Sequence, residues 1–497
     1  MSKPEKAETG SFGKRIAGGA ALVLGAQAAK MVIRMTQVIL LARLLTPEDL
    51  GLVAAVSPVL AFVAVFQNVG LQQALIQRET IDDRLINQAF WFLLLIGGGS
   101  MIFVIAIAPG VALFYDDGRI TDIVLALSPV VMLQTLASLP GGLLARELKF
   151  RHVTAIDIVS SVVMLVSGVG AALAGFGYWA LVIAENCRAG AFFLVSALCH
   201  PWRPLRPDFR IDRGLFSFGA NLTGANFLNF FNRNLDNVLI GKVEGPVALG
   251  YYDRAYKLLL YPIRNGVQPL NRVAVPGLSR LQADLPRFRR AYLKFASATL
   301  LAILPGIIAA IIATRETVLF LFGEQWLPVV PIFALLGFVA LVQPQQMTNA
   351  WIFIALGKTK QMLQMTTIYS VVIVMSFIIG VRWGAIGVAG AYALVSVAGL
   401  PFRWWVVSRT SPVTFWDNVQ LLAPFAIGLA LSSIAYNAVL ASGVTTRVFP
   451  LLLIALTLSY SITLITALGF KPTRDTMALG MRSGLNAVGR IRNPAAN

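Results

Sequence analysis

The sequence predicts an all-α polytopic membrane protein of about fourteen transmembrane helices, built as two six-helix lobes related by a parallel pseudo-twofold repeat, with two further helices at the C-terminal end. Three observations lead there. The 497 residues are 57% hydrophobic and only 13% charged, with a mean hydropathy of +0.74, which is more apolar surface than a soluble chain of this length can bury. The basic residues gather in alternate connectors between apolar runs. A turn near the N-terminus recurs at a constant offset of 199 residues.

The elements follow in order. Residues 1–16 are polar and carry Lys3, Lys6, Lys14 and Arg15, and no short apolar core with a small-residue cleavage site follows, so an uncleaved cytoplasmic N-terminus is expected. A span needs roughly 20 apolar residues. The first two, 17–42 and 49–76, are joined by LARLLTPEDLGLV. In this turn Thr46 can cap, Pro47 suits the first helical position, and Glu48 and Asp49 complement the helix dipole. Spans at 86–114, 120–145, 153–175 and 178–200 complete an N-lobe over residues 1–200. The basic, proline-rich PWRPLRPDFRIDR, residues 201–213, is the expected cytoplasmic inter-lobe linker. Spans at 214–241, 247–276, 291–314, 327–356, 361–381 and 384–409 make a C-lobe over 214–410, and those at 418–441 and 448–469, with a basic cytoplasmic tail, occupy 411–497.

The turn is written again in VLIGKVEGPVALGYY, where Lys242, Pro246, Leu249 and Gly250 stand opposite Arg43, Pro47, Leu50 and Gly51. GFGYWALV (175–182) resembles RWGAIGVA (382–389) at an offset of 207, with Gly177 opposite Gly384 and Arg151 opposite Lys358. Six crossings per copy is an even number, so both copies share one orientation and the pseudo-axis runs along the membrane normal.

The net charge of +18 raises nucleic acid as a partner, and its distribution argues against it. With the N-terminus inside, cytoplasmic segments hold 27 of the 41 basic residues, Arg403 and Lys471 among them, while the opposite side holds Arg43, Arg119, Lys242, Arg315, Arg382 and Arg447. That asymmetry obeys the positive-inside rule and places both termini in the cytoplasm.

Eight cations remain in or near spans: Lys30, Arg34, Arg188, Arg233, Arg254, Lys257, Arg264 and Arg272. At a helix centre each would cost about 2.5–3.5 kcal/mol facing lipid, so a wet interior or a partner is expected. Lys30 and Arg34 share one helix face with no acid in their own helix, and Arg264 and Arg272, eight apart beside Pro262 and Pro269, are expected nearly on one face. These four are the expected cationic cavity. Glu185 with Arg188, and Arg233 with Asp236, are spaced to neutralise each other. Asp157 lacks a local partner and is a candidate proton or cation site. The aromatic cluster Tyr251, Tyr252 and Tyr256 reads as an interface anchor, with sugar stacking as the sharper alternative.

No catalytic motif surrounds any candidate. His152 and His200 stand apart, Cys187 and Cys199 share one span, and the connectors are too short to hold an enzyme's catalytic domain, so neither an enzyme nor a cofactor or metal site is expected.

The segments ILLARLLTPEDLGLVAAV, LPGGLLARELKFRHV, FNRNLDNVLIGKVEGPVALGYYDRAYKL and ALGKTK resemble the polysaccharide-transporter branch, the Wzx-like flippases, of the multidrug/oligosaccharidyl-lipid/polysaccharide (MOP) exporter superfamily. The resemblance covers nearly the whole chain and implies a MATE-like fold in the bacterial inner membrane. It also implies an undecaprenyl-pyrophosphate-linked oligosaccharide as substrate, moved by alternating access, with membrane lipids and the polysaccharide polymerase and export machinery as partners. An anionic pyrophosphate needs a cationic cavity, and Arg can bond its oxygens bidentately. The alternatives are an organic-cation exporter of the same superfamily, which would use intramembrane carboxylates, a non-transporting partner in polysaccharide assembly, and, third, a membrane glycosyltransferase or polymerase.

Overall fold

A computed structural model describes residues 25–67, 81–207 and 213–479, the side chains of 66, 213–229 and 232 excepted. Of the 27 basic residues expected on the cytoplasmic side, Lys3, Lys6, Lys14, Arg15, Arg78, Arg210, Arg482, Arg490 and Arg492 lie outside these residues. Among the described residues every regular element is helical. Helix α1 covers 25–44, followed by α2 (Pro47–Gln67), α3 (Asp83–Tyr115), α4 (Arg119–Arg146), α5 (Phe150–Leu173), α6 (Trp179–Cys199) and the long α7 (Arg213–Val267). After a 3₁₀ turn at Gln268–Leu270 come α8 (Asn271–Ser279), α9 (Leu285–Ile312), α10 (Thr314–Leu321), α11 (Val329–Ala355), α12 (Thr359–Gly380), α13 (Gly384–Ala398), α14 (Leu400–Thr410), α15 (Phe415–Ser442) and α16 (Val448–Leu468). A last helix, α17, covers 471–479.

Ten stretches of the described residues are long and apolar enough to cross a bilayer, and one of them, Thr359–Thr410, holds two crossings because it breaks at Val381–Trp383. Helix α1 and the two arms of α7, which divide at Gly245, account for the other expected spans, so each of the fourteen predicted from apolar length has a helix. The arms of α7 fall below the hydropathy of the rest because they carry half of the eight intramembrane cations, together with Asp236 and Asp253.

Packing divides the chain into two units, Met1–Arg254 and Ala255–Asn497. The division falls inside α7, and the segment around Gly241–Gly250 packs onto the start of α2 and the end of α3. In the first unit α3 pairs with α4, α5 with α6, and α4 with α6. Leu85, Ala89 and Leu93 of α3 meet Leu139 and Leu143 of α4, with Trp202 against them. The described part of the linker is stitched down: buried Asn87 takes the Leu205 N–H at 2.9 Å and donates to the Arg206 carbonyl at 2.8 Å. One side-chain amide thus stands in for a strand partner along extended backbone.

In the second unit α9 packs against α11, α15 and α16, and α13 against α11 and α12. Lipid offers no hydrophobic drive for helix pairing, so close approach and interhelical hydrogen bonds carry it. Gly380 and Gly387 press backbone against backbone between α12 and α13. The Ser459 hydroxyl donates to the Pro305 carbonyl and the Thr466 hydroxyl to the Pro424 carbonyl, both at 2.9 Å, tying α16 to α9 and α15.

Candidate functional site

The opening turn forms as its residues dictate. Thr46 caps α2: the Asp49 N–H donates to its hydroxyl at 3.2 Å, and the Thr46 N–H donates to the Asp49 carboxylate at 3.0 Å, a reciprocal capping box. The same carboxylate accepts the Tyr178 N–H at 3.0 Å, so it also holds the α5–α6 turn, where Gly177 has φ +53°. Glu48 receives Arg119 at 2.7 Å. Arg119 also bonds Asp117, and this guanidinium holds the Asp117 carboxyl below the usual carboxylate range.

The second copy of the turn breaks α7 at Gly245, φ +79° and ψ −174°, a conformation open to glycine alone, and the helix restarts at Pro246. The two copies meet. A Cβ on Gly51 would lie 2.5 Å from the Pro246 carbonyl carbon, and one on Gly250 would lie 2.9 Å from that of Pro47. Because Gly250 and Pro246 are the repeat mates of Gly51 and Pro47, the contact is reciprocal, as a pseudo-twofold requires. Beside it Lys242 reaches Asp116 at 2.6 Å and stands 5.6 Å above the Phe114 ring, while Gly241 leaves room for Tyr115. Gly177 and Gly384 both take positive φ, +53° and +69°. The helix starts at α5 and α12 match differently: Lys149 and Lys358 are the N-caps, each preceded by a left-handed residue, Leu148 at φ +56° and Gly357 at φ +68°. By backbone, Lys149 is the mate of Lys358, two residues before the Arg151 that sequence offset selects.

The intramembrane charges sort in ways that spacing did not disclose. Lys30 has no acid in its own helix and Asp157 no local partner, and they pair with each other at 3.1 Å, from α1 to α5. The two helices are close along this line, with Gln37 of α1 lying near Gly168 of α5. Arg188 holds Glu185 at 2.7 Å, the expected i, i+3 pair. Asp236 is buried and accepts the Tyr252 hydroxyl at 2.9 Å, whereas Arg233 is exposed. Tyr252 is itself fully buried, which removes it from both the interface-anchor and sugar-stacking readings. Arg254 is buried with Asp253 at 3.6 Å.

The guanidinium of Arg264 stands 5.5 Å from the Tyr256 ring, just over two turns back along the helix. Arg272 is exposed on α8. The expectation that Arg264 and Arg272 share a face needed an unbroken helix, and the 3₁₀ turn at Gln268–Leu270 around Pro269 intervenes, so the common-face argument fails for this pair.

Arg403, counted with the cytoplasmic basic residues, is buried within the protein and is not a free surface charge. It is 5% exposed, lies 3.9 Å from the Tyr369 ring centroid, and donates to the carbonyls of Ser396 at 3.0 Å and Gly399 at 3.3 Å. The Gly399 carbonyl also accepts the Arg403 N–H at 3.2 Å, so the guanidinium adds a second donor there and ties the end of α13 to the start of α14. Lys358 likewise donates to the Thr410 carbonyl across the end of α14. Both cations hold helix ends, a role that charge counting cannot see. Among the described residues no group of His, Cys, Asp and Glu is placed to hold a metal ion.

Many crossing helices, internally repeated turns, and charges held within the membrane region define a multi-pass transporter fold. The fold is similar to that of the lipid II flippase MurJ in an inward closed conformation, with a TM-score of 0.69 at 16% identity over 89% of this chain and 97% of that one. Residues 40–331, more than half of the chain, match the family described as polysaccharide biosynthesis protein, and the chain belongs to that family. It is 24% identical to the teichuronic acid biosynthesis protein TuaB of Bacillus subtilis over 443 residues, 86% of this chain and 89% of the relative. It is 22% identical to the lipopolysaccharide biosynthesis protein WzxC of Escherichia coli over 421 residues, 81% and 83% of the two chains. The resemblance carried by the turn motifs therefore holds.

Proposed function

We propose that the protein is a flippase that carries a lipid-linked oligosaccharide with an anionic, pyrophosphate-type head across the bacterial inner membrane by alternating access, with both termini cytoplasmic. The undecaprenyl tail stays in the bilayer while the head crosses. The observation that carries this reading is the sign of the membrane-embedded charge. Eight cations stand in or near the spans against Asp157, Glu185, Asp236 and Asp253. An excess of positive charge in a low-dielectric region is costly unless an anion uses it. Arg34, Arg264 and Arg272 are the residues proposed to bind the head, with Lys30 contributing through its link to Asp157. Family membership and the polysaccharide roles in the names of TuaB and WzxC support the substrate class.

An organic-cation exporter is disfavoured on a specific ground. Asp157, the acid best suited to a cation, is held by Lys30 at 3.1 Å.

The test is complementation of a bacterial strain lacking its lipid-linked-oligosaccharide flippase, comparing wild type with Arg34→Ala and Arg264→Ala at matched membrane levels while the cytoplasmic-leaflet intermediate is quantified. Wild type should restore export and both variants should accumulate the intermediate. Normal export by the variants would remove these arginines from the substrate path, and failure of wild type across several donor glycans would overturn the flippase reading.

A further inference from the structure

The second unit contains a charged cavity that the transport reading does not use. It lies where α9, α15 and α17 begin, has a volume of about 650 Å³, and is lined by Arg289, Arg290, Lys294, Lys471, Asp417 and Asp475. Part of this charge is spent internally. Arg289 grips Asp417 with two parallel bonds of 2.7 Å, Nε to Oδ2 and Nη2 to Oδ1. Asp417 also accepts the Thr414 N–H at 2.8 Å, completing the capping box of α15. The pair is a neutral, rigid floor.

What remains is Arg290, Lys294 and Lys471 against Asp475 alone, a surplus of positive charge, and all four are exposed. Arg290 and Lys294 are i, i+4 on α9, where like charges repel unless an anion lies between them. Apart from Gln420, the rest of the lining, including Leu293, Pro472 and Leu479, is apolar. Helices α9 and α15 are membrane spans whose first turns form this cavity, so its mouth sits at the boundary between hydrocarbon and water. Helix α17 is fixed there by Thr473, which is buried and bonded back to the Ala467 carbonyl.

We infer that this cavity binds the phosphodiester headgroup of an anionic phospholipid, with the acyl chains lying along the apolar side. A free phosphate shares the anion chemistry but would make no use of Leu293 and Leu479, and a zwitterionic lipid would not neutralise the surplus charge. The site is separate from Arg34 and Arg264 and does not depend on the transport assignment.

The test uses the full chain purified in a neutral detergent, with lipid binding followed by native mass spectrometry. Phosphatidylglycerol, phosphatidylcholine and inorganic phosphate are the three probes. Wild type should retain phosphatidylglycerol roughly tenfold more tightly than phosphatidylcholine, and millimolar phosphate should not displace it. The double variant Arg290→Gln/Lys471→Gln should lose most of this preference, while Arg447→Gln, which removes an exposed cation elsewhere, should keep it. A melting temperature in lipid-free detergent equal to wild type shows that the double variant is folded, and the wild-type preference tests the site even without it. No preference in wild type, or retained preference in the folded double variant, overturns the inference. Displacement by phosphate at equal concentration reduces the site to a free-anion site and equally overturns the lipid assignment.

Discussion

Replacing Gly51 by alanine tests the reciprocal turn contact. The new methyl carbon would sit 2.5 Å from the Pro246 carbonyl carbon and 3.0 Å from the Gly250 nitrogen, all backbone atoms. Non-bonded carbons need about 3.5 Å or more, and the Pro246 carbonyl oxygen lies nearer to the new methyl than its carbon does, so the two helix starts must part by more than about 1 Å, and no side chain can rotate aside to spare them. Overpacking of this kind costs about 1–3 kcal/mol, and a rigid backbone neighbour puts it near the upper end. Gly250→Ala meets the Pro47 carbonyl and should cost a similar amount. The two clashes are relieved by one and the same separation. The double variant should therefore cost much less than the sum of the singles, by about 1 kcal/mol or more.

The readouts are thermal unfolding of the full chain in detergent and oxidative cross-linking between Asp116→Cys and Lys242→Cys, whose parent side chains lie 2.6 Å apart beside the contact. Cys187 and Cys199, both free thiols, are changed to serine in that background. Each alanine should lower the melting temperature and slow the cross-link. Unchanged cross-linking in both single variants, or fully additive destabilisation, would refute the reciprocal-contact argument.

Three further outcomes follow from local geometry. Asp157→Asn should lower stability by about 1 kcal/mol by leaving Lys30 without its carboxylate, and adding Lys30→Gln should recover most of that loss, because the pair is partly solvated and only the widowed charge is costly; a double-mutant cycle by chemical denaturation measures it. Leu148→Gly should raise stability by about 1 kcal/mol, since Leu148 holds φ +56° with half its surface exposed, so the strain relieved exceeds the packing lost; an unchanged or lower melting temperature would count against it. Glu147, bonded by Lys149 and then His200, has its carboxyl held below the usual carboxylate range. A depressed folded pKa stabilises above the unfolded value of about 4.3 and is lost as pH falls through the folded one. The stability gap between wild type and Glu147→Gln should accordingly be largest near neutral pH and close below about pH 4.

The spans were legible because crossing a bilayer demands a length of apolar chain that few other structures write, and turns such as TPEDLG carry their caps in sequence order. The contact of Gly51 with Gly250 was half legible: the offset paired the residues, but nothing in a repeat says that its two copies touch. The Lys30 pairing with Asp157 was hidden for the opposite reason. The local rule asks for an acid three or four residues away on the same helix, and this partner is on α5, more than a hundred residues along. The burial of Arg403 was hidden because a basic residue near a span end usually reaches the interface, and its bonds to the Ser396 and Gly399 carbonyls depend on how α14 packs after α13. The buried position of Tyr252 was equally beyond reach, since burial of its hydroxyl depends on Asp236 across the Gly245 break.

These pairings bear on how the proposed carrier would work. Every cation neutralised within the protein is one fewer to hold the substrate: Lys30 shares its charge with Asp157, Arg188 with Glu185, and Arg403 is spent on backbone. Had all of them faced a pyrophosphate together, the attraction in a low dielectric would be deep enough to trap it, and a ligand that binds both orientations of a carrier equally tightly shifts neither. A flippase needs a head site that attracts an anion and then lets go of it. Internal acids placed beside cations supply that balance, because a salt bridge can open toward the substrate and close again behind it. On this view Asp157 is a competitor for Lys30. Asp157→Asn should then hold substrate longer and export it more slowly, whereas Lys30→Gln should weaken capture. Quantifying lipid-linked intermediate bound to the purified variants against that released to the outer leaflet separates the two, and equal retention by both would show that this pair only joins α1 to α5.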